Sequence, residues 1–384
     1  MRFDTIRTAH VGILARMIPG DPKPLGRQTQ LIKGFFEAAE NQRISMALFH
    51  PEDLLKNNQS VGYVWSDRQW IKAVFERPSV VYDRFYSSIC GPEERILEVK
   101  RRLNHECQIQ FVNPPKLAET ATDKVACAHF LESNGILTPP ILAETIHDAD
   151  YLWNLAVKNR FLIIKPRFGR MGIGVMRICY MDGRVSVRYG HGSLRADNPW
   201  HLSGIIQGFA GISGLTWGQL IVQPCIELTS NSRRFFDIRI LMQRVSISGD
   251  AQITGEVARV GGMGSTVPNI DSGGIAMPLD RWLDILYGSR GRNVLESVRN
   301  RAVEIYRAFE HKMGCTGELG LDMLLDQDGE IWVIEVNSKP GRIAFERLAS
   351  GFGLDVESRR RFAEQRKNSI LNPVIYAGSL AKNR

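Results

Sequence analysis

Two stretches decide how this chain reads: Gly320-Leu321-Asp322, and Ile331-Trp332-Val333-Ile334-Glu335-Val336-Asn337. Apolar residues run through 319–326 and 331–336, with Asp328-Gly329 between them, so the spacing predicts a β-hairpin. Side chains alternate faces along a strand, which puts Glu335 and Asn337 on the same side. Across the turn, Asp322 comes within reach of Glu335. Two carboxylates and an amide oxygen on one face form a hard oxygen set. Such a set suits magnesium, which takes a few protein oxygens together with substrate phosphates. An exposed hairpin can also carry acids merely for solvation. Here, however, Glu335 and Asn337 interrupt a strongly apolar strand.

Upstream, the apolar run Phe161-Leu162-Ile163-Ile164 ends in Lys165-Pro166 and enters Arg167-Phe168-Gly169-Arg170-Met171-Gly172-Ile173-Gly174. Gly169, Gly172 and Gly174 would let backbone N–H groups approach phosphate oxygens, with Lys165 as a point charge. The loop leads into a second strand, 175–180, rather than into a helix, so it is neither a Walker A loop nor a dinucleotide fingerprint. A strand–glycine loop–strand lid over phosphates is known in kinases, and a plain glycine-rich hairpin with an edge lysine fits the same residues.

Leu220-Ile221-Val222-Gln223-Pro224-Cys225-Ile226-Glu227 is a strand that opens into polar positions. Pro224 has no N–H, so an adenine edge would take the Gln223 carbonyl and the Cys225 N–H, with Glu227 reaching a ribose hydroxyl. A plain strand end is the alternative. Further along, Asp237 and Arg239 share one face of the predicted strand 237–244, and Arg259 sits in the next, 252–260. Arginines on a sheet facing phosphates can hold transferring charge, and the same residues also fit ordinary ion pairs.

The rest of the chain frames these segments. Apolar runs at 10–15, 44–49, 61–65 and 79–82 read as strands, and 31–38 and 93–103 as helices, giving a small α/β domain. Phe111-Val112-Asn113-Pro114-Pro115 reads as a boundary. The next helix starts near Thr120–Asp123 and stops at Asn134-Gly135, and a short helix covers 151–158. A strand pair at 175–180 and 184–189 turns at Asp182-Gly183, and 294–311 reads as a helix. The last thirty residues combine a basic helix around Arg359-Arg360-Arg361 with an apolar stretch, 370–376.

The 384 residues, 43% hydrophobic and 23% charged, are those of a globular protein with more than one core. No apolar run approaches the roughly 20 residues that cross a bilayer, and the first segment lacks the features of a signal peptide, so the expected location is cytoplasmic. Six scattered cysteines without a C-x-x-C pair fit a reduced compartment, and eight histidines without a ligand pattern argue against zinc. A net charge of +8 suits anionic partners, but no RNA- or DNA-binding motif accompanies it.

Taken in order, these residues resemble the ATP-grasp superfamily. Lys124 falls on the first helix of a nucleotide lobe. Lys165-Pro166 with its glycine loop, Gln223 to Ile226, Asp237-Ile238-Arg239, Asp322 and Glu335-Val336-Asn337 follow, and Asn337-Ser338-Lys339-Pro340-Gly341-Arg342 completes the ending. Finer features resemble the YheC/YheD-type branch, associated with the endospore coat: Val11 to Leu14, Val80 to Arg84, Thr254-Gly255, Ala258 to Gly261, Asn269 with Gly273-Gly274, and Glu318 to Asp322. The resemblance implies an α/β (α+β) ATP-grasp fold with an N-terminal pre-ATP-grasp domain at 1–115 and an ATP-grasp domain at 116–350. Within the latter, a lid lobe would span about 160–222 and a metal-bearing lobe about 223–350, with a C-terminal helix and tail at 351–384.

It further implies ATP and Mg²⁺ as cofactors. Lys124, Lys165, Gly169, Gly172, Gly174, Gln223, Pro224, Cys225 and Glu227 would bind ATP, Asp322, Glu335 and Asn337 the metal, and Arg239, Arg259 and Arg342 would act in catalysis. The implied activity is an ATP-dependent carboxylate–amine or –thiol ligase working through an acyl phosphate, on a small-molecule or peptide carboxylate with an amine-type acceptor. The rival is a non-catalytic ATP-binding protein of a spore layer. Two departures stand out: Gly320 occupies a position where some carboxylate ligases of the superfamily carry arginine, and the loop 168–171 is bulky. Substrate loops are expected at 191–218 and 261–274, and the oligomeric state stays open.

Overall fold

The computed structural model describes residues 6–56, 58–86, 91–169, 172–190, 192–228, 234–262, 268, 270, 273–351 and 354–383. Arg170, Met171 and Asn269, named above, lie outside the described residues, as do Cys90 and the first position of the expected loop 191–218. The described part is a mixed helix-and-sheet fold containing three sheets.

In the first, seven-stranded sheet, Val11–Leu14 lies between Met46–Phe49 and Val80–Asp83, parallel to both. All three strands are buried along their whole length, which is why they read as unbroken apolar runs rather than as alternations. Thr29–Asn41 covers one face with Ile32, Phe35, Phe36 and Ala39. Glu94–His105 belongs to a second core, with Ile96, Val99 and Leu103 against Phe49, Phe75 and Val81. The hairpin Gln59–Ser66 with Gln69–Glu76 extends the sheet, and its second strand is absent from the sequence reading. Its turn, Asp67-Arg68, adopts φ of 50° and 62° without a glycine, so the usual signal is missing.

The helix start expected near Thr120–Asp123 needs correcting. Residue 115 begins a helix, Pro115–Thr122, with proline in the first helical position, where its missing N–H costs nothing. A second helix, Lys124–Ser133, starts immediately after Asp123, whose Oδ1 accepts from the N–H groups of Val125 at 3.0 Å and Ala126 at 3.4 Å.

The second sheet is antiparallel, in the order Gly192–Ala196, Arg184–Tyr189, Met176–Met181, Phe161–Pro166, Leu220–Pro224. Asp182-Gly183 forms the expected turn, with φ of 52° and 76°. The stretch after 191, expected as a substrate loop, is instead an edge strand and the helix Pro199–Ile212, whose Leu202, Ile206 and Ala210 fill this lobe's core. The third sheet is also antiparallel: Ile275–Met277, Gln252–Val260, Phe236–Gln243, Glu318–Leu325, Ile331–Asn337. The helices Leu279–Tyr287 and Gly291–Met313 back it.

The C-terminal segment is one helix, Val356–Lys382, with Pro373 inside it. Val374, Tyr376, Ala377 and Leu380 join the core of the first sheet beside Phe35 and Tyr82. Proline has no N–H, so Pro373 leaves the carbonyl four residues earlier without its helical donor. That carbonyl, Ser369, accepts instead from Gln243 Nε2 and Arg342 Nε, each at 3.0 Å. Arg342 also donates to Pro340 O at 2.5 Å and to the Glu318 carboxylate. Glu318 takes further bonds from Tyr82 Oη at 2.5 Å and Gln243 Nε2 at 2.9 Å. Arg342→Met would strand a fully buried carboxylate. Urea unfolding at pH 7 is expected to show a loss of about 3–5 kcal/mol, and an unchanged midpoint would refute the anchoring role.

Candidate functional site

The hairpin reading sets the register of the site. Asp322 lies opposite Glu335, and Gly320 opposite Asn337, across the last two strands. On its other side Asp322 faces Arg239, and one strand further Asp237 faces Arg259. Facing residues of antiparallel neighbours project to the same side of the sheet, so the alternation brings Asp237, Arg239, Arg259, Asp322, Glu335 and Asn337 onto one surface, the floor of a cavity of about 590 Å³.

The floor is strongly charged. Arg239 binds Asp322 through both carboxylate oxygens, with Nη2 to Oδ2 at 2.7 Å. Arg259 binds Asp237 the same way, with Nε to Oδ1 at 2.6 Å, and also reaches Asp322 at 2.9 Å. Two carboxylates thus share two guanidiniums. Burial works against ionisation of Asp322, but Arg239 and Arg259 outweigh it and hold its carboxyl below the ordinary range. Burial, with the facing Asp322 adding to it, pushes Asp237 up to about 6 despite Arg259. Beyond this quartet, the half-buried Glu335 has no ion-pair or hydrogen-bond partner among the described residues. Asn337 Nδ2 is buried and likewise unpartnered.

The roof is the loop after Phe161–Pro166. Lys165 lines the cavity, and burial, with Lys124 adding to it, lowers its ammonium to about 8. Burial also lowers Lys124, with Glu335 opposing. Lys124 Nζ donates to Gly169 O at 2.7 Å, and Arg167 grips Asp123 at 2.8 and 2.7 Å. The helix start and the glycine loop are therefore one unit. Gly169 and Gly172 line the cavity, whereas Gly174, at φ 76°, packs its backbone on Pro166.

Several expectations need correcting. The Cys225 N–H donates to Phe161 O at 3.0 Å, so it is spent on the sheet. Val222 O accepts from Leu142 and Ala143 on the side of its strand away from Phe161–Pro166. By alternation the Pro224 carbonyl points to that same side, and the Ile226 N–H has no acceptor among the described residues. The edge offered to a ligand is displaced one residue, to Pro224 and Ile226. Gln223 turns its amide onto Pro139 O at 2.6 Å. Glu227 is exposed and absent from the cavity wall. Arg342 borders the cavity, but each of its three nitrogens already donates, to Ser369, Pro340 and Glu318, and the residue is only 1% exposed. Of the two expected substrate loops, only the second reaches the wall, through Pro268 and Ile270.

The sequence reading assigned no site role to the first sheet, yet Arg16, Gln28, Arg84 and Tyr86 close the far end. Lys339 joins them, bound to Asp83 at 2.9 Å and to Phe85 O at 2.6 Å. Asp83 is held down at about 2, burial being outweighed by Lys100 and Lys339. The signal was present: Asp83-Arg84 follows a parallel strand, and ligands gather beyond the carboxyl ends of such strands.

Among the described residues, no three His, Cys, Asp or Glu side chains gather as metal ligands, and no helix is long and apolar enough to cross a membrane. Two carboxylates with an adjacent amide oxygen are still a donor set that fits a divalent cation. The family model described as YheC/D like ATP-grasp matches residues 108–378. The chain is 24% identical over 305 residues to the endospore coat-associated protein YheC of Bacillus subtilis strain 168, covering 77% of this chain and 80% of that one. It is 23% identical over 250 residues to the coenzyme gamma-F420-2:alpha-L-glutamate ligase of Methanococcus maripaludis, covering 65% of this chain and 68% of that one. Among solved structures it resembles D-cycloserine synthetase DcsG with a TM-score of 0.54 and 16% identity, covering 94% and 99% of the two chains.

Arg259→Met would leave Asp237 and Asp322 facing each other across one guanidinium. At pH 7 the expected cost is about 3 kcal/mol. The substitution raises Asp237 further above the value near 4 of an unfolded aspartate. A carboxyl raised in the fold loses stability as pH rises through that window, so the deficit should shrink at pH 5. Urea melts at both pH values check this, and a deficit independent of pH would refute it.

Proposed function

Because the chain belongs to the YheC/D-like ATP-grasp family, we propose that it binds ATP with magnesium and joins a carboxylate to an amine through an acyl phosphate. One observation carries this reading. The cavity's unmatched charges are of two kinds: Lys124 and Lys165, which have no ion-pair partner among the described residues, and Glu335, which lines the cavity with Asn337. Phosphates need the first pair and a divalent cation needs the second. A bound magnesium would neutralise phosphate oxygens as charge develops on them.

In this reading the adenine lies on Ile163 and Leu324, its edge read by the Pro224 carbonyl and the Ile226 N–H, and Lys124, Lys165 and the glycine loop hold the phosphates. Asp322, Glu335 and Asn337 hold the metal. A substrate carboxylate oxygen attacks the γ-phosphorus and ADP departs. The amine nitrogen then attacks the acyl carbon and inorganic phosphate leaves. Arg239 and Arg259 keep Asp322 ionised and in place, and Nη1 of each has no partner among the described residues, so both can face the transferring oxygens.

Gly320 does not count against activity. A Cβ there would lie 2.7 Å from Pro340 Cβ, so this backbone excludes an arginine, while Arg239 supplies a guanidinium across the strand. The second reading, a nucleotide-binding protein of a spore layer without turnover, draws on the coat association of the Bacillus relative. ADP release on adding a carboxylate and an amine separates the two.

Calorimetric titration with Mg-ATP should show Glu335→Ala weakening binding by at least about tenfold, and equal affinity in both proteins would remove Glu335 from the metal set. Lys165 adds a pH signature. Its free ammonium is lowered to about 8, and phosphates would raise it. Nucleotide binding near pH 8.5 should therefore take up protons, and affinity should fall as pH rises through this range. Titrations in buffers of different ionisation enthalpy measure the uptake, which Lys165→Met should abolish.

A further inference from the structure

One part of the same cavity, taken as its second chamber, is walled by residues of 16–31 and of the helix Ile343–Ala349. Its charges can be matched one by one. Arg16 is held by Glu93 at 2.9 Å, Arg84 lies 3.6 Å from Glu318, and Lys339 is held by Asp83 at 2.9 Å. Arg342 is also bound to Glu318, and Arg27 is engaged as well. Glu346 remains. It lines the same cavity, is half-buried, and its carboxylate has neither an ion-pair nor a hydrogen-bond partner among the described residues.

The chamber's wall around this acid is apolar. Ile18 and Ile343 are 57% and 36% exposed, and both line the cavity together with Leu25 and Ile270. Single exposed apolar side chains carry no message. Two that line one cavity together with an unmatched carboxylate point to a ligand with a cationic head and an apolar body. A lone carboxylate is a poor site for a divalent metal ion, which needs several oxygens, but a good one for an ammonium group, whose charge-assisted hydrogen bonds are short and strong.

We propose that this chamber is the acceptor site and takes a primary amine carried on an apolar body, with Glu346 holding the ammonium and Ile18 and Ile343 the body. As an acceptor assignment it rests on the ligase reading; as a binding site it rests on the chamber alone. Glu346 sits on the helix that follows Asn337 to Arg342, the segment anchored by Glu318, so its position is fixed relative to the floor.

The test is calorimetric titration with L-leucinamide and its desamino counterpart 4-methylpentanamide. Each is measured on the nucleotide-free protein and on the protein saturated with magnesium and a non-hydrolysable ATP analogue. Leucinamide is expected to bind at least about tenfold tighter in one or both states. Glu346→Gln should erase that preference, and Ile18→Asn should weaken both ligands together. Equal affinities in the wild type, no leucinamide binding in either state, or a preference that survives Glu346→Gln would overturn the proposal. Failure of Mg-ATP titration with the amine preference intact would instead remove the ligase reading and leave the amine site standing.

Discussion

A single buried carboxylate, Glu318, holds the parts of this molecule in register. Tyr82 and Arg84 reach it from the first sheet, Gln243 from the neighbouring strand of the third, and Arg342 from the loop after the last strand. Burying an ion this deeply is costly unless its partners are complete, and here they are supplied by segments far apart in sequence. Asn113 closes the same seam, bridging the Glu318 and Ser338 carbonyls at 2.8 and 2.7 Å. Glu318, Gly320 and Asp322 share one face of their strand. Its first residue thus carries the anchor, Gly320 makes room for Pro340, and Asp322 at mid-strand carries the charged floor.

That geometry explains which parts of the site were legible in the sequence. Asp322, Glu335 and Asn337 depend only on strand alternation and an Asp-Gly turn, both local, so their common face could be read directly. The same holds for Asp237, Arg239 and Arg259, one strand pair away. The α/β character and the two antiparallel lobes followed from hydrophobic runs of the right length. The family was legible because these motifs occur in a fixed order along one chain.

What escaped has physical causes too. The Cys225 N–H, expected to be open, is spent on the sheet because which backbone groups point outward depends on the partner strand, not on the strand itself. Pro115 was read as part of a break, yet it opens a helix, and Pro373 sits inside one. Proline removes a donor, and tertiary structure decides whether anything else uses the freed carbonyl. At Ser369 two side chains from other segments do. Arg342 looked like a catalytic arginine from its place in the motif, but a partner 24 residues away claims its guanidinium. The contribution of Arg16, Arg84 and Tyr86 arises only when the first sheet packs against the third.

Matched and unmatched charges divide the labour in this cavity. A matched pair such as Arg259 with Asp237 fixes geometry, because each partner offsets the other's desolvation. An unmatched group keeps its desolvation uncompensated in the free protein: burial alone, before the charge of Lys124 is counted, is the largest influence lowering Lys165. A ligand of opposite charge relieves that cost, so an unmatched buried lysine favours an anionic ligand. A ligand that binds the folded state alone also stabilises it by mass action. The pattern of missing partners is therefore itself a description of what the cavity is built to hold.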